Sequence, residues 1–157
     1  FKMIVILHNI RSLHNVGSIF RTADAVGVKK IYLCGITPAP VDNFGKLRPQ
    51  LTKVSLGAEK TVEWIKAKST TKVLDELKKN GYKIFAVEQS KKSVPYHKVG
   101  VKPEDKVALI LGSEVKGLPL SILKRADKIL EISMAGKKES LNVAVAFGIV
   151  AFGLKHR

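Results

Sequence analysis

At 157 residues, 45% of them apolar and with six prolines, the chain has the size and composition of one ordinary globular domain, which excludes a disordered or fibrous polypeptide. Its 28 lysines and arginines against 13 acids leave a net charge of +15, more than solubility requires, and because acid has not risen with base they favour a polyanionic partner, nucleic acid, over a merely solvated lysine-rich surface. The single Cys34 excludes an internal disulfide or a multi-cysteine zinc site and fits a reducing, cytoplasmic setting.

Lys2 to His8 is an apolar run of strand length that stops at the turn-former Asn9. From Val16, the apolar positions Ile19, Phe20, Ala23 and Val26 keep helical spacing, with Asn15 as the expected N-cap and Gly27 as the stop. Lys30 to Cys34 reads as a second strand, followed by a long irregular segment marked by Pro38, Pro40, Asn43, Gly45 and Pro49. A short strand is expected around Val62 to Ile65, a helix over Thr71 to Asn80 and a strand over Tyr82 to Val87. Val107 to Leu111 is a continuous apolar run, as in a parallel sheet covered on both faces. A short helix from Pro119 to Arg125, a strand over Lys128 to Ile132 and a last helix from Ser140 to Lys155 complete the pattern.

Strands and helices alternate throughout, so the expected class is α/β, a mainly parallel sheet with helices on both faces in a single domain over residues 1–157. The last helix is apolar nearly all round and must be buried on several sides, within its own subunit or against a second copy of the chain. The apolar stretch Leu141 to Leu154 is too short to span a bilayer, and no secretory leader opens the chain. No basic amphipathic helix speaks for a membrane surface, so the expectation is a soluble protein.

Three segments carry chemistry-bearing residues. In the first, from Asn9 to Asp24, Arg21 projects from the polar side of the early helix and could meet a phosphate or a ribose. Taken alone the segment reads more simply as a capping Asn15 and a solvated Arg21, whereas Gly17, unfavourable within a helix, hints at a close approach by something else. The second, Leu111 to Leu118, follows the most apolar strand, and ligands of open α/β sheets bind beyond strand carboxyl ends. It lacks the G-x-x-x-x-G-K-[ST] and G-x-G-x-x-G patterns, which removes support for ATP hydrolysis and ordinary dinucleotide binding. By itself it is also compatible with a plain turn. The third, Ile132 to Ala146, sets Ser140 and Asn142 at the start of an apolar helix, where free N–H groups favour a ligand or simply a capping oxygen.

In order and spacing the three segments resemble the motifs of the SpoU (TrmH-type) branch of the SPOUT superfamily of RNA 2′-O-ribose methyltransferases. The resemblance rests on Asn15 and Arg21 in N-x-G-x-x-x-R-T-A-D, on Gly112-Ser113-Glu114 with Gly117-Leu118, and on Glu139-Ser140-Leu141-Asn142-Val143 after Met134. It covers nearly the whole chain. It departs at Ser133, where the family commonly has proline, and at Val115, where glycine is frequent.

The resemblance implies a deep C-terminal trefoil knot, an exception to the rule against knots. It also implies an S-adenosylmethionine pocket lined by Val87, Glu88, Gly112, Ser113, Gly117, Ile132, Met134, Ser140 and Leu141. Arg21, Asn15, Glu114, Ser140 and Asn142 match the catalytic polar set, with Arg21 reaching the site across a homodimer interface. Orientation falls to Asn15 and Asn142, contact with the arginine or ribose to Ser140, and fixing of the site to Glu114. Without the appended RNA-binding domain of larger relatives, RNA would be held by Arg11, Arg21, Lys46, Arg48 and Lys53. That compactness resembles tRNA-modifying members more than ribosomal-RNA ones, with rRNA or an idle RNA-binding module as alternatives. No metal is implied.

Overall fold

The computed structural model describes residues 1–156. Seven strands form one sheet: β1 (Lys2–His8), β2 (Lys30–Cys34), β3 (Glu63–Ala67), β4 (Lys83–Val87), β5 (Val94–Pro95), β6 (Lys106–Gly112) and β7 (Lys128–Glu131). Their order is β3-β2-β1-β6-β4-β7-β5, and each neighbouring pair is parallel. The carboxyl ends of all strands therefore open on one edge of the sheet, and the loops that follow them can build a common site there.

Alternation along β1 sorts its side chains into two layers. Met3, Val5 and Leu7 join a core with helix α1 (Leu13–Val26) and helix α6 (Val143–Lys155), whereas Ile4 and Ile6 join the opposite core with α4 (Thr70–Lys79) and α5 (Leu120–Leu123). Helices thus cover both faces, as the alternating pattern implies. Phe20 and Phe147 from the helices and Phe85 from the sheet belong to the first core, all fully buried, and each such burial stabilises the fold by about 1.5–3 kcal/mol.

Several boundaries differ from the sequence expectation for identifiable reasons. The N-cap of α1 is Ser12, whose hydroxyl accepts from the Asn15 N–H at 3.1 Å, so Asn15 lies inside the first turn with its side chain free for another use. Helix α6 starts at Val143, not Ser140, because Asn142 is its cap: the Asn142 Oδ1 accepts from the N–H groups of Ala144 at 2.9 Å and Val145 at 3.3 Å. Strand β7 ends at Glu131, one residue early, and the short β5 was not anticipated.

The segment expected to be irregular holds two short helices, α2 (Pro49–Ser55) and α3 (Ala58–Thr61). They are too brief to show a periodic face, but Pro49 at the start and the buried Leu51 give α2 its frame. Helix α2 also explains Gly17. A Cβ there would stand 2.5 Å from the Leu51 carbonyl oxygen, so α2 lies backbone against α1.

Candidate active site

A cavity of about 390 Å³ opens beyond the carboxyl ends of β4, β6 and β7. The segments after those strands wall it: Val87 and Glu88, then Gly112 to Leu118, then Ile132, Met134, Ser140 and Leu141. All nine residues assigned to the cofactor by resemblance line this one space, together with Glu114.

The loop after β6 is shaped by its glycines. Gly117 has φ +63°, and its N–H donates to the Ser113 carbonyl at 2.8 Å. The Ser113 hydroxyl accepts from the N–H groups of Val115 at 3.1 Å and Lys116 at 3.3 Å, closing the turn. Gly112 tolerates no side chain, because a Cβ would come within 2.7 Å of the Gly117 carbonyl oxygen and of Leu118 Cδ2. Glu88, just past β4, clamps the far side of the loop: its Oε2 accepts from the Leu118 N–H at 2.7 Å, in the space a Gly117 Cβ would take. This carboxylate is thereby a strut of the pocket wall, a role that its sequence position alone did not reveal.

A polar seam ties the three sequence segments together beside the cavity, whose lining includes Glu114 and Val143 but neither Asn15 nor Asn142. The Asn142 Nδ2 donates to the Asn15 Oδ1 at 3.0 Å, across 127 positions of sequence. The Glu114 Oε1 accepts from the Val143 N–H at 3.0 Å, holding the first turn of α6 against the β6 loop. Ser140 lines the cavity and is exposed. Arg21 is exposed on α1 and lines no part of the cavity in its own chain.

The residues expected to hold RNA separate into two groups. Arg11 and Arg48 line a second cavity, of about 530 Å³, beyond the ends of β1, β2 and β3, whereas Lys46 and Lys53 are exposed and line neither space. Trp64 and Lys66 share that second cavity, and sequence reasoning passed over both because they sit within a short strand with no motif around it. The frame between the two spaces is polar and tightly held. The Thr37 hydroxyl donates toward the carbonyls of Cys34 at 2.8 Å and Leu7 at 3.0 Å, and accepts from the Ile10 N–H at 3.1 Å. Burial pushes the Cys34 thiol up and the His8 imidazole down, and His8 Nδ1 is hydrogen-bonded to the Thr70 hydroxyl at 2.7 Å.

Chemically the first cavity offers apolar walls, backbone groups of the glycine-bearing loop after β6 and polar side chains at Gln89, Ser113 and Ser140, which suits an uncharged planar group with a polar periphery. Among the described residues no group of three or more His, Cys, Asp or Glu side chains is placed to hold a metal ion, and no helix is long and apolar enough to cross a membrane.

Comparison with known proteins places this arrangement. A sequence model of the SpoU rRNA Methylase family matches residues 2–152. The 23S rRNA (guanosine-2′-O-)-methyltransferase RlmB of Neisseria meningitidis is 34% identical over 148 residues, which are 94% of this chain and 56% of that protein. The tRNA (guanosine(18)-2′-O)-methyltransferase of Aquifex aeolicus is 34% identical over 151 residues, 96% of this chain and 67% of that one. The crystal structure of an AdoMet-bound rRNA methyltransferase from Sinorhizobium meliloti matches with a TM-score of 0.87 at 30% identity, covering 97% of this chain and 55% of that chain. The chain thus spans little more than half the length of the Neisseria and Sinorhizobium proteins.

Proposed function

This chain belongs to the SpoU rRNA Methylase family, and on that premise we propose that it transfers a methyl group from S-adenosylmethionine to a ribose 2′-hydroxyl of RNA. The observation that carries the reading is the seam Asn15–Asn142 with Glu114–Val143, which ties the first motif segment to the other two beside the cavity that those two wall. Relatives named for guanosine 2′-O-methylation of 23S rRNA and of tRNA support a ribose target, and the +15 charge supports an RNA partner.

The cavity fits the cofactor. Its 390 Å³ falls within the range of small-molecule sites, with Leu111, Ile132, Leu141 and Val143 as apolar walls for an adenosine and the Gly112 and Gly117 turns as backbone contacts. When bound, S-adenosylmethionine supplies an electrophilic methyl group on a sulfonium sulfur.

The protein's own part is placement and charge. Transfer joins the ribose oxygen to the methyl carbon, breaks the sulfur–carbon bond and releases the hydroxyl proton. Asn142, fixed at once by its cap bonds and by Asn15, orients the ribose side of the cavity, and Glu114 keeps α6 from withdrawing. Ser140 is free to meet the sugar. A guanidinium donates hydrogen bonds but has no lone pair for a proton, so Arg21 stabilises the developing oxyanion and docks the neighbouring phosphate, toward which the proton is steered.

Arg21 does this from the second subunit of a homodimer. The dimer reading is supported by the apolar residues that α6 leaves uncovered, Val145 at 50% and Phe152 at 38% exposure, with Ile149 half-buried between them on one face. The trefoil knot is supported by the way α6 returns over the segment between β4 and β6. Gly153 presses on the Tyr96 ring so closely that a Cβ would stand 2.6 Å from Cε2. A buried lone Cys34 supports a cytoplasmic setting.

The test is incubation with labelled S-adenosylmethionine and either total tRNA or rRNA, followed by digestion to nucleosides and mass spectrometry. A 2′-O-methylated nucleoside from one pool is expected and identifies the RNA. A base-methylated nucleoside, or no transfer to either pool, would remove the proposal.

A further inference from the structure

The second cavity holds two cations that the protein itself leaves under-used. The Lys66 ammonium, on β3, is fixed by donation to the carbonyls of Gly35 and Thr37, each at 2.5 Å. Burial pushes its protonation down, Cys34 pulls it part of the way back, and the nearby Arg48 guanidinium adds a smaller push downward. Arg48 precedes α2, and its Nε is buried with no hydrogen-bond partner among the described residues. A buried donor on a cation without an acceptor is costly, and Arg48, sharing one cavity with the exposed Lys66, attracts an anion.

Among the described residues the one acid lining the cavity is Asp42, whose Oδ1 accepts from the N–H groups of Phe44 at 2.8 Å and Lys46 at 3.0 Å and which forms no ion pair with either cation. Arg11 stands at the exposed mouth, and Trp64, half-buried, presents an aromatic wall.

We propose that this cavity is a nucleotide subsite, in which Arg48 and Lys66 bind one RNA phosphate while the adjoining base stacks on Trp64. The proposal rests on the RNA-substrate reading and deepens it by assigning a built pocket where only a basic surface was foreseen. Arginine and lysine donors suit a phosphodiester, and aromatic stacking accepts any base, so the site positions the strand without reading sequence. It shares the carboxyl edge of the sheet with the cofactor cavity: β2 and β6 flank β1, an offset of roughly 10 Å at ordinary strand spacing, so one RNA strand can serve both.

Trp64 is the sole tryptophan, so its emission reports on this cavity alone. The experiment titrates the full chain with a short oligouridylate and with unfractionated tRNA, following Trp64 fluorescence and an independent filter-binding isotherm. Quenching on binding is expected. Arg48→Gln should weaken RNA binding about tenfold and lower the salt slope by about 0.7 per lost phosphate contact, with S-adenosylmethionine affinity unchanged. Lys128→Gln removes the same charge from an exposed position at the opposite edge of the sheet and should weaken binding far less. If Arg48→Gln does not fold, Arg11→Gln at the mouth carries the same expectation at about half the logarithmic effect. RNA that binds without moving Trp64 emission, or equal losses in the pocket and Lys128 variants, overturns the subsite and leaves the RNA reading standing. Absence of RNA binding by the wild type overturns both.

Discussion

Replacing Asn142 by alanine and by aspartate separates the two tasks of one side chain. Its Oδ1 caps α6 through Ala144 and Val145, and its Nδ2 donates to Asn15. Loss of a cap costs about 1 kcal/mol, and loss of an exposed neutral hydrogen bond about 0.5–1.5 kcal/mol. Asn142→Ala is therefore expected to lose about 2 kcal/mol, which for a chain of this length lowers Tm by about 4–8 °C. Asn142→Asp keeps a capping oxygen and gains about 0.3–1 kcal/mol from a negative charge at a helix N-terminus. It loses the donor to Asn15 and sets a carboxylate against that oxygen. Its stability should stay within about 1 kcal/mol of wild type, while methyl transfer falls as far as in Asn142→Ala. Urea titration and a methyl-transfer assay on both variants, with Asn15→Ala and the double variant completing a cycle, read these terms apart. Equal destabilisation by alanine and aspartate would refute the cap, and strictly additive effects of Asn15→Ala and Asn142→Ala would refute the bond between them.

Gly17→Ala should destabilise the chain despite a gain of about 1 kcal/mol in helix propensity, because the Leu51 carbonyl is backbone and overpacking costs about 1–3 kcal/mol; a variant more stable than wild type in urea would contradict the contact. Arg21→Ala should abolish most turnover while S-adenosylmethionine affinity, followed by calorimetry, is retained, and wild-type turnover would remove Arg21 from the mechanism. Burial holds the His8 imidazole below its ordinary value of 6.5, so the unfolded chain takes up a proton first as pH falls. Stability should decline from about pH 6.5 downward and level off below the folded value. His8→Gln should flatten that part of the urea-midpoint profile, and an unchanged profile would show that another group titrates.

How much of this was legible in the sequence depends on the length scale of the signal. The apolar runs of β1 and β6 and the 3.6-residue spacing of Val16, Ile19, Phe20 and Ala23 are local patterns, and they located the central strands and α1 within a few residues. Helix starts were misplaced where two polar residues compete for the cap: Ser12 outdid Asn15, and Asn142 outdid Ser140. The winner is decided by what else the loser can bond, and for Asn15 that partner is 127 positions away. That nine residues from separate loops share the first cavity was legible only through the motif resemblance, since the meeting of those loops is set by strand order, which periodicity does not encode. The role of Glu88 as a clamp and the meeting of Lys66 and Arg48 in one cavity had no local signature at all, because both depend on which strand ends stand side by side.

Calorimetric titration of the RNA-free protein with S-adenosylmethionine tests the central claim most directly, that three distant segments build one cofactor pocket. One site per chain is expected, with a negative heat-capacity change from apolar burial, and it should vanish in Leu141→Arg while the circular dichroism spectrum stays that of wild type. No binding by the wild type, or undiminished binding by the folded Leu141→Arg protein, would contradict it.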